Sequence, residues 1–317
     1  MKKKQLNKRK DKDQRTDYDS AWKDVIEQLF KHFLEFFFSD IYRDIDFDKK
    51  PVFLSDELRK MSRDGKVGKR YADVLVKVHL KDGSVRCIFI HIEVQGQKDE
   101  YLPERTYVYN YRIYDHHREL NEEVVSLLIL TDEDENFRPD EFYIKRWGFQ
   151  LRMKIPMVKI LDYRDKLEEL EQSYNPMAMV VLAQLESFDA KKSDDENKYK
   201  IKFNLMRRCV KKGYGEEYIR DLFRFIDWLI ILPGKYEKKL VQEIIKLKEE
   251  TKMPYVASWE REWEKKYTRI GKLEGKLEGI EKQAKETAKR MLGDDFPIEK
   301  IVKYTGLSEE EIKQLMN

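Results

Sequence analysis

The chain has 317 residues, of which 39% are charged, and its net charge is only +3. That length suffices for a sizeable core or for two domains, and the charged share exceeds the roughly 25% usual for globular chains. The near-neutral balance excludes a globally basic surface, and two widely separated cysteines, Cys87 and Cys209, argue against a disulfide framework or a zinc knuckle and for a reducing compartment.

Charge is unevenly distributed. Residues 1–15 hold eight Lys/Arg and two Asp, net +6, and the remainder is net −3. Such a tail is either a solvated disordered segment or a salt-sensitive contact to phosphate backbones. No apolar run of about 18 residues occurs, and no apolar stretch precedes Trp22. Neither a membrane span nor a signal peptide is expected, and the expected location is cytoplasmic.

In chain order, residues 1–18 read as a polar tail. Asp19-Ser20 cap a helix to about Asp40, with Trp22, Ile26, Leu29, Phe30, Phe33, Leu34 and Phe37 on its apolar face. Pro51 to Ser55 is a short strand, and Lys60 to Lys69 a polar loop. A β-hairpin follows, its arms running Tyr71 to Leu80 and Ser84 to Gln95 around Lys81-Asp82-Gly83. A helix spans about Tyr101 to His117 with Pro103 in its first turn, and Val124 to Thr131 reads as a fully buried strand. A few short strands are expected between Phe142 and Leu161. The order α, β, β, β, α, β predicts an α/β sandwich over 19–162.

Beyond it the chain reads as mostly helical. Helices begin near Arg164, Asn175-Pro176, Asp194, Gly215 and Lys235 and make up a region over 163–257. Leu222, Phe223, Phe225, Ile226, Trp228, Leu229 and Ile231 form its densest apolar cluster. The tail, 258–317, carries glycines at 271, 275 and 279 among residues near heptad positions. Each such glycine costs about 1 kcal/mol relative to Ala within a helix. This tail is either a self-associating helix, making a homo-oligomer, or a flexible charged arm. Phe296 to Leu315 resembles a helix-turn-helix pair, but its second helix is acidic, which argues against direct DNA reading.

The hairpin carries the chemistry. Asp73 and Glu93 sit inside otherwise apolar strands, and burying a carboxylate costs several kcal/mol unless a charge meets it. Ala72, Val74, Val76, Val78 and Leu80 in one arm and Ile88, Ile90, Ile92 and Val94 in the other are all even-numbered. The two apolar faces coincide only if paired residue numbers have an even sum. A two-residue turn at Asp82-Gly83 gives the wrong parity. A three-residue loop, with Gly83 left-handed as a bulge, pairs Leu80 with Ser84 and sets Asp73 opposite His91 and diagonal to Glu93.

Asp73, nineteen residues, then Glu93-x-Gln95 follows the spacing of a PD-(D/E)XK nuclease. In such a site the Asp and Glu hold Mg2+ with help from a main-chain carbonyl, here that of Val94, and a third residue orients or activates water. The competing reading pairs Asp73 with Lys77 as an edge ion pair. Lys77 lies about 13 Å from Asp73 at strand rise, too far to serve as a catalytic lysine unless the strand bends. His91 is either a metal neighbour or a satisfied strand histidine. Arg105, Tyr109, Arg112 and His116 share one helical face, which either holds DNA phosphate beside the site or is solvated. Glu57 is a candidate extra acid, and Lys66, Lys69 and Arg70 are candidates to grip the DNA backbone.

The segments Tyr71-Ala72-Asp73-Val74-Leu75-Val76-Lys77-Val78, Ile90-His91-Ile92-Glu93-Val94-Gln95-Gly96-Gln97, Pro103-Glu104-Arg105, Tyr109-Asn110-Tyr111-Arg112-Ile113, Asn175-Pro176 and Leu222-Phe223-Arg224-Phe225-Ile226-Asp227-Trp228, with the glycine-rich tail, carry a family resemblance. The chain resembles the recombination-promoting nuclease/putative transposase family, whose core is of the PD-(D/E)XK type. The likeness covers most of 19–317. It implies a DNA endonuclease dependent on Mg2+, Mn2+ or Ca2+, in a bacterial cytoplasm, linked to recombination or mobile elements. Gln95 replaces the usual Lys and cannot offer a positive charge, which implies slow or regulated cleavage. The alternative is a non-catalytic DNA-binding or assembly protein that keeps the fold. A metabolic enzyme finds no glycine-rich phosphate loop or nucleophile elbow to support it.

Overall fold

Residues 21–28 are helical and lead into α1 (Phe30–Phe37). Their apolar positions recur every three to four residues, and Trp22, Val25, Ile26, Leu29, Phe30, Phe33 and Leu34 are all buried. At Phe38 the backbone leaves helical geometry, and α2 (Ser39–Asp44) follows. The computed structural model describes residues 21–55, 73–83, 88–117, 122–251, 283–294 and 296–314. The chain divides into two compact units, Met1–Lys252 and Met253–Asn317.

The first unit is a mixed α/β structure. Five strands, β1 (Val52–Phe53), β2 (Asp73–Val78), β3 (Ile88–Gln95), β4 (Glu123–Leu130) and β7 (Met157–Lys159), form one sheet in the order β1-β2-β3-β4-β7. The β1–β2 and β2–β3 pairs are antiparallel, and β3–β4 and β4–β7 are parallel. The crossover from β3 to β4 is helix α3 (Leu102–His117). The strands β5 (Glu141–Arg146) and β6 (Phe149–Lys154) form a separate two-stranded hairpin.

Both faces of β3 are dry. Val74, Val76, Val78, Ile90 and Ile92 are buried on one side. On the other, Leu75 and Phe89 pack against Ile113 of α3, and beyond them the same side carries His91, Glu93 and Gln95, also buried. The parity expected for the hairpin holds, but its register differs from the expectation by one pair. Asp73 lies opposite Glu93, Leu75 opposite His91 and Val78 opposite Ile88. Leu80 bridges Ile45, and Ser84 lies outside the described residues. On the same edge of the arm as β1, His79 O accepts from Asp46 N at 2.8 Å and Lys81 N donates to Asp44 O at 2.9 Å. The end of the first arm is thereby drawn to the segment after α2. Gly83 does adopt the left-handed conformation, with φ of +68°.

After β7 come a 3-10 turn (Ile160–Lys166) and the helices α4 (Leu167–Gln172), α5 (Pro176–Lys191), α6 (Asp195–Lys211), α7 (Glu216–Leu229) and α8 (Gly234–Thr251). Asn175 caps α5 by accepting from Met177 N at 2.9 Å, with Pro176 opening the first turn, and Asp194 caps α6 by accepting from Asn197 N at 2.8 Å. Helix α5 is buried almost all round. The first helical segment docks here, where Trp22 Nε1 donates to Gln184 Oε1 at 2.8 Å and its ring meets Phe225 edge-on at 5.4 Å.

In the second unit, residues 283–293, α9 (Ile298–Thr305) and α10 (Glu309–Gln314) bury Ala288, Ile301, Leu307 and Ile312 together. Gly306, with φ of +75°, ends α9. Ser308 and Glu311 form a reciprocal capping box at the start of α10. The glycine repeat at 271–279 lies outside the described residues. Among the described residues no helix is long and apolar enough to cross a membrane.

Candidate active site

Strand β3 delivers Glu93 and Gln95 to the side of the sheet that α3 covers. The chain turns after Gln95, and Asp99 opens the helix: Tyr101 N donates to Asp99 Oδ1 at 3.1 Å and Leu102 N to Asp99 O at 3.0 Å. Leu102, Thr106, Tyr109 and Ile113 follow at helical spacing and face inward. That periodicity brings Arg105 and Thr106 down onto Glu93.

Arg105 Nε donates to Glu93 Oε1 at 2.8 Å, and Nη2 binds the same oxygen. Nη2 also donates to Gln95 Oε1 at 2.9 Å, and Nη1 binds Asp99 Oδ2. The Thr106 hydroxyl lies 3.0 Å from Glu93 Oε2 and 2.8 Å from Leu102 O. One guanidinium thus serves two carboxylates and an amide, with side-chain exposures of 10% for Arg105 and 3% for Glu93. Burial pushes the Glu93 carboxyl above the usual carboxylate range, while Arg105 and Thr106 pull it down. Gln95 also donates through Nε2 to Gln97 O, so both ends of its amide are fixed.

His91 is fully buried beside this group. Its Nδ1 lies 3.2 Å from Ser126 Oγ, which receives Asn110 Nδ2 at 3.1 Å, and the Tyr109 ring meets it edge-on at 5.8 Å. Its Nε2 makes no hydrogen bond among the described residues. Burial and then the Arg105 charge depress its pKa to about 3, so the ring is neutral at neutral pH. It acts as a strand histidine anchored to Ser126, not as a cation.

The expected residues fall into three groups. Glu93, Gln95 and Arg105 are in direct contact, and Tyr109 is buried next to them. Asp73 is brought opposite Glu93 by the backbone register, though its side chain lies outside the described residues. Glu57, Lys66, Lys69 and Arg70 also lie outside them. The face bearing Arg105, Tyr109 and Arg112 is turned toward the sheet rather than solvated, and only His116 of that set is exposed. Arg112 Nη1 is buried without a hydrogen bond among the described residues. Val94 is buried on the opposite side of the strand, so only its main chain is available to the site. Lys77 binds Glu122 at 2.7 Å.

Asp99 and Thr106 were not singled out by their sequence context. Asp99 sits where an N-cap precedes a proline-containing first turn, which is a legible signal. Thr106 carries none, because its role depends on how α3 lies across β3. A second buried ion pair joins Lys159 Nζ, at the end of β7, to Asp132 Oδ1 at 2.6 Å. A lysine in the apolar run Met157-Val158-Lys159-Ile160-Leu161 is its only trace in the sequence.

The arrangement gathers carboxylate and amide oxygens in a dry setting with one strong cation held against them. Among the described residues no group of three or more His, Cys, Asp and Glu side chains is placed to hold a metal ion. Compared with known proteins, the chain matches no family model, no curated protein and no solved structure.

Proposed function

We propose that the chain is a divalent-metal-dependent DNA endonuclease with a PD-(D/E)XK core, of the recombination-promoting nuclease/putative transposase kind that its motifs resemble. In this reading it acts in a bacterial cytoplasm, on recombination or mobile elements. One observation carries it: the β2–β3 register that aligns position 73 with Glu93, with Gln95 on the same side and Arg105 of α3 held against both Glu93 and Gln95.

Asp73, Glu93 and the Val94 carbonyl offer oxygen donors only, the set that suits Mg2+, Mn2+ or Ca2+. A cation bound there would polarise the phosphodiester and acidify a coordinated water. Gln95 has one N–H and one oxygen lone pair left after its contacts with Gln97 and Arg105, enough to position a water but not to add charge. Arg105 fixes Glu93 and supplies its counter-charge. Tyr109 and Arg112 continue the same inward face along α3, so the DNA contacts in this reading fall to Lys69 and Arg70.

The second reading, a DNA-binding or assembly protein that cuts little, is favoured by one observation. Glu93 Oε1 is already taken up by two Arg105 N–H groups, and the Thr106 hydroxyl lies 3.0 Å from Oε2. A supercoiled-plasmid assay with Mg2+ or Mn2+ separates the two. The nuclease reading expects metal-dependent nicking that Asp73→Ala and Glu93→Gln abolish while DNA binding persists. DNA binding without nicking by the wild type favours the second reading, and equal nicking by all three proteins rules out this site.

A further inference from the structure

The β5–β6 hairpin has a tip that the fold does not explain. Trp147 is 95% exposed and sits at φ of 49°, followed by Gly148 at φ of 88°. Two left-handed residues in succession make a type I′ turn, which favours Asn-Gly and disfavours a bulky side chain in the first place. The Trp147 side chain is thus nearly all in solvent, in a conformation that bulky residues avoid.

Its surroundings are aromatic and basic. Tyr143 and Phe149 are exposed, as is Ile144. Arg146 lies 5.7 Å from the centre of the Trp147 ring. Nearer the base, Arg152 pairs with Glu141 and Lys154 with Asp140, but Lys145 and Arg146 make no ion pair among the described residues. The uncompensated positive charge is therefore at the tip, beside the exposed rings. The ribbon is anchored by Phe142, which stacks on Tyr107 of α3 at 4.8 Å, and by Met153, which packs on the Leu102–Leu128–Leu130 cluster. Tyr111 and Tyr114, one and two turns along α3 from Tyr107, are exposed as well. With six residues in each arm, the hairpin reaches about 20 Å.

We infer that this hairpin is a DNA-contacting wedge, in which Trp147 stacks on an unpaired or unstacked base while Lys145 and Arg146 hold flanking phosphates. Exposed aromatic faces stack on any base, and neighbouring cations supply the salt-sensitive backbone contact. Uncompensated cations at the tip fit a polyanion and oppose a second copy of the same positive hairpin. The inference rests on the reading of DNA as the substrate. It adds a contact built on a different element from the one that carries Glu93.

The test is binding of fluorescein-labelled single-stranded and duplex oligonucleotides to the full chain in EDTA, where cleavage plays no part. Trp147→Ala is expected to weaken binding to the single strand about five- to hundredfold, with Trp147→Phe recovering most of it. Lys145→Gln with Arg146→Gln is expected to flatten the salt dependence. Trp147 is exposed, so circular dichroism should show the fold unchanged. Wild-type affinity in Trp147→Ala overturns the inference, and so does loss of self-association by sedimentation with DNA binding intact. The two readings fail separately. Trp147-dependent binding by a chain that never nicks plasmid sinks the nuclease and keeps the wedge, while nicking with Trp147-independent binding does the reverse.

Discussion

Arg105 clamps Glu93 from the end of the first turn of α3, with Nε 2.8 Å from Oε1 and both side chains nearly sealed from solvent. Removing one partner of such a pair leaves a buried charge alone, which costs about 3–5 kcal/mol. Arg105→Leu should therefore lower the urea-unfolding free energy by about that amount. Millimolar Mg2+ should restore more stability to this variant than to the wild type, because a bound cation takes over the counter-charge. A variant that unfolds early and ignores Mg2+ would leave the guanidinium as a purely structural partner.

His91 makes stability depend on pH. Its pKa falls from 6.5 in the unfolded chain to about 3 in the fold, so between these values the folded state binds fewer protons than the unfolded chain. The stability contributed by its neutral form is complete above pH 6.5 and is lost progressively on the way down to pH 3. The loss is about 1.4 kcal/mol per pH unit. Unfolding curves of wild type and His91→Leu between pH 7 and 4 should differ by that slope, with the wild type the steeper. Parallel curves would show that the ring protonates without resistance.

How much of this was legible from the chain depends on distance in sequence. Period-two alternation set the parity of β2 and β3, because a one-residue slip would turn Val74 and Val76 to the side that carries His91, Glu93 and Gln95. The pairing itself differs from the expectation by one pair, because alternation sets which face a residue takes but not which residue lies opposite. Caps at Asn175 and Asp194 were readable from local chemistry alone. The union of Trp22 with Gln184, 162 residues apart, was not, because nothing in an amphipathic helix names the surface it covers. The same limit hid Thr106 and the inward turn of Arg105.

Lys159 and Asp132 offer a test of buried charge away from Glu93. Lys159→Met should destabilise by about 3–5 kcal/mol by stranding the Asp132 carboxylate. Adding Asp132→Leu should recover most of that loss, as replacing both charges with apolar groups is often neutral. Thermal unfolding of the double-mutant cycle checks this, and additive losses would contradict it.

Asn175 ties the helical layer to α1 as well as capping α5, since its Nδ2 donates to His32 O at 3.1 Å and to Glu35 at 3.0 Å. Asn175→Ala should cost about 1–2 kcal/mol. Asn175→Ser keeps a capping oxygen but loses those donated bonds, so it should fall in between. Equal losses in the two variants would mean that the cap contributes nothing.

The central claim, that folding this ribbon brings Asp73 and Glu93 to one cation, is tested most directly by titrating the full chain with Mn2+ and following the free ion by electron paramagnetic resonance. The account predicts saturable binding in the wild type and its loss in both Asp73→Ala and Glu93→Gln. Binding that survives unchanged in either variant, or a wild type that binds no Mn2+, would contradict it.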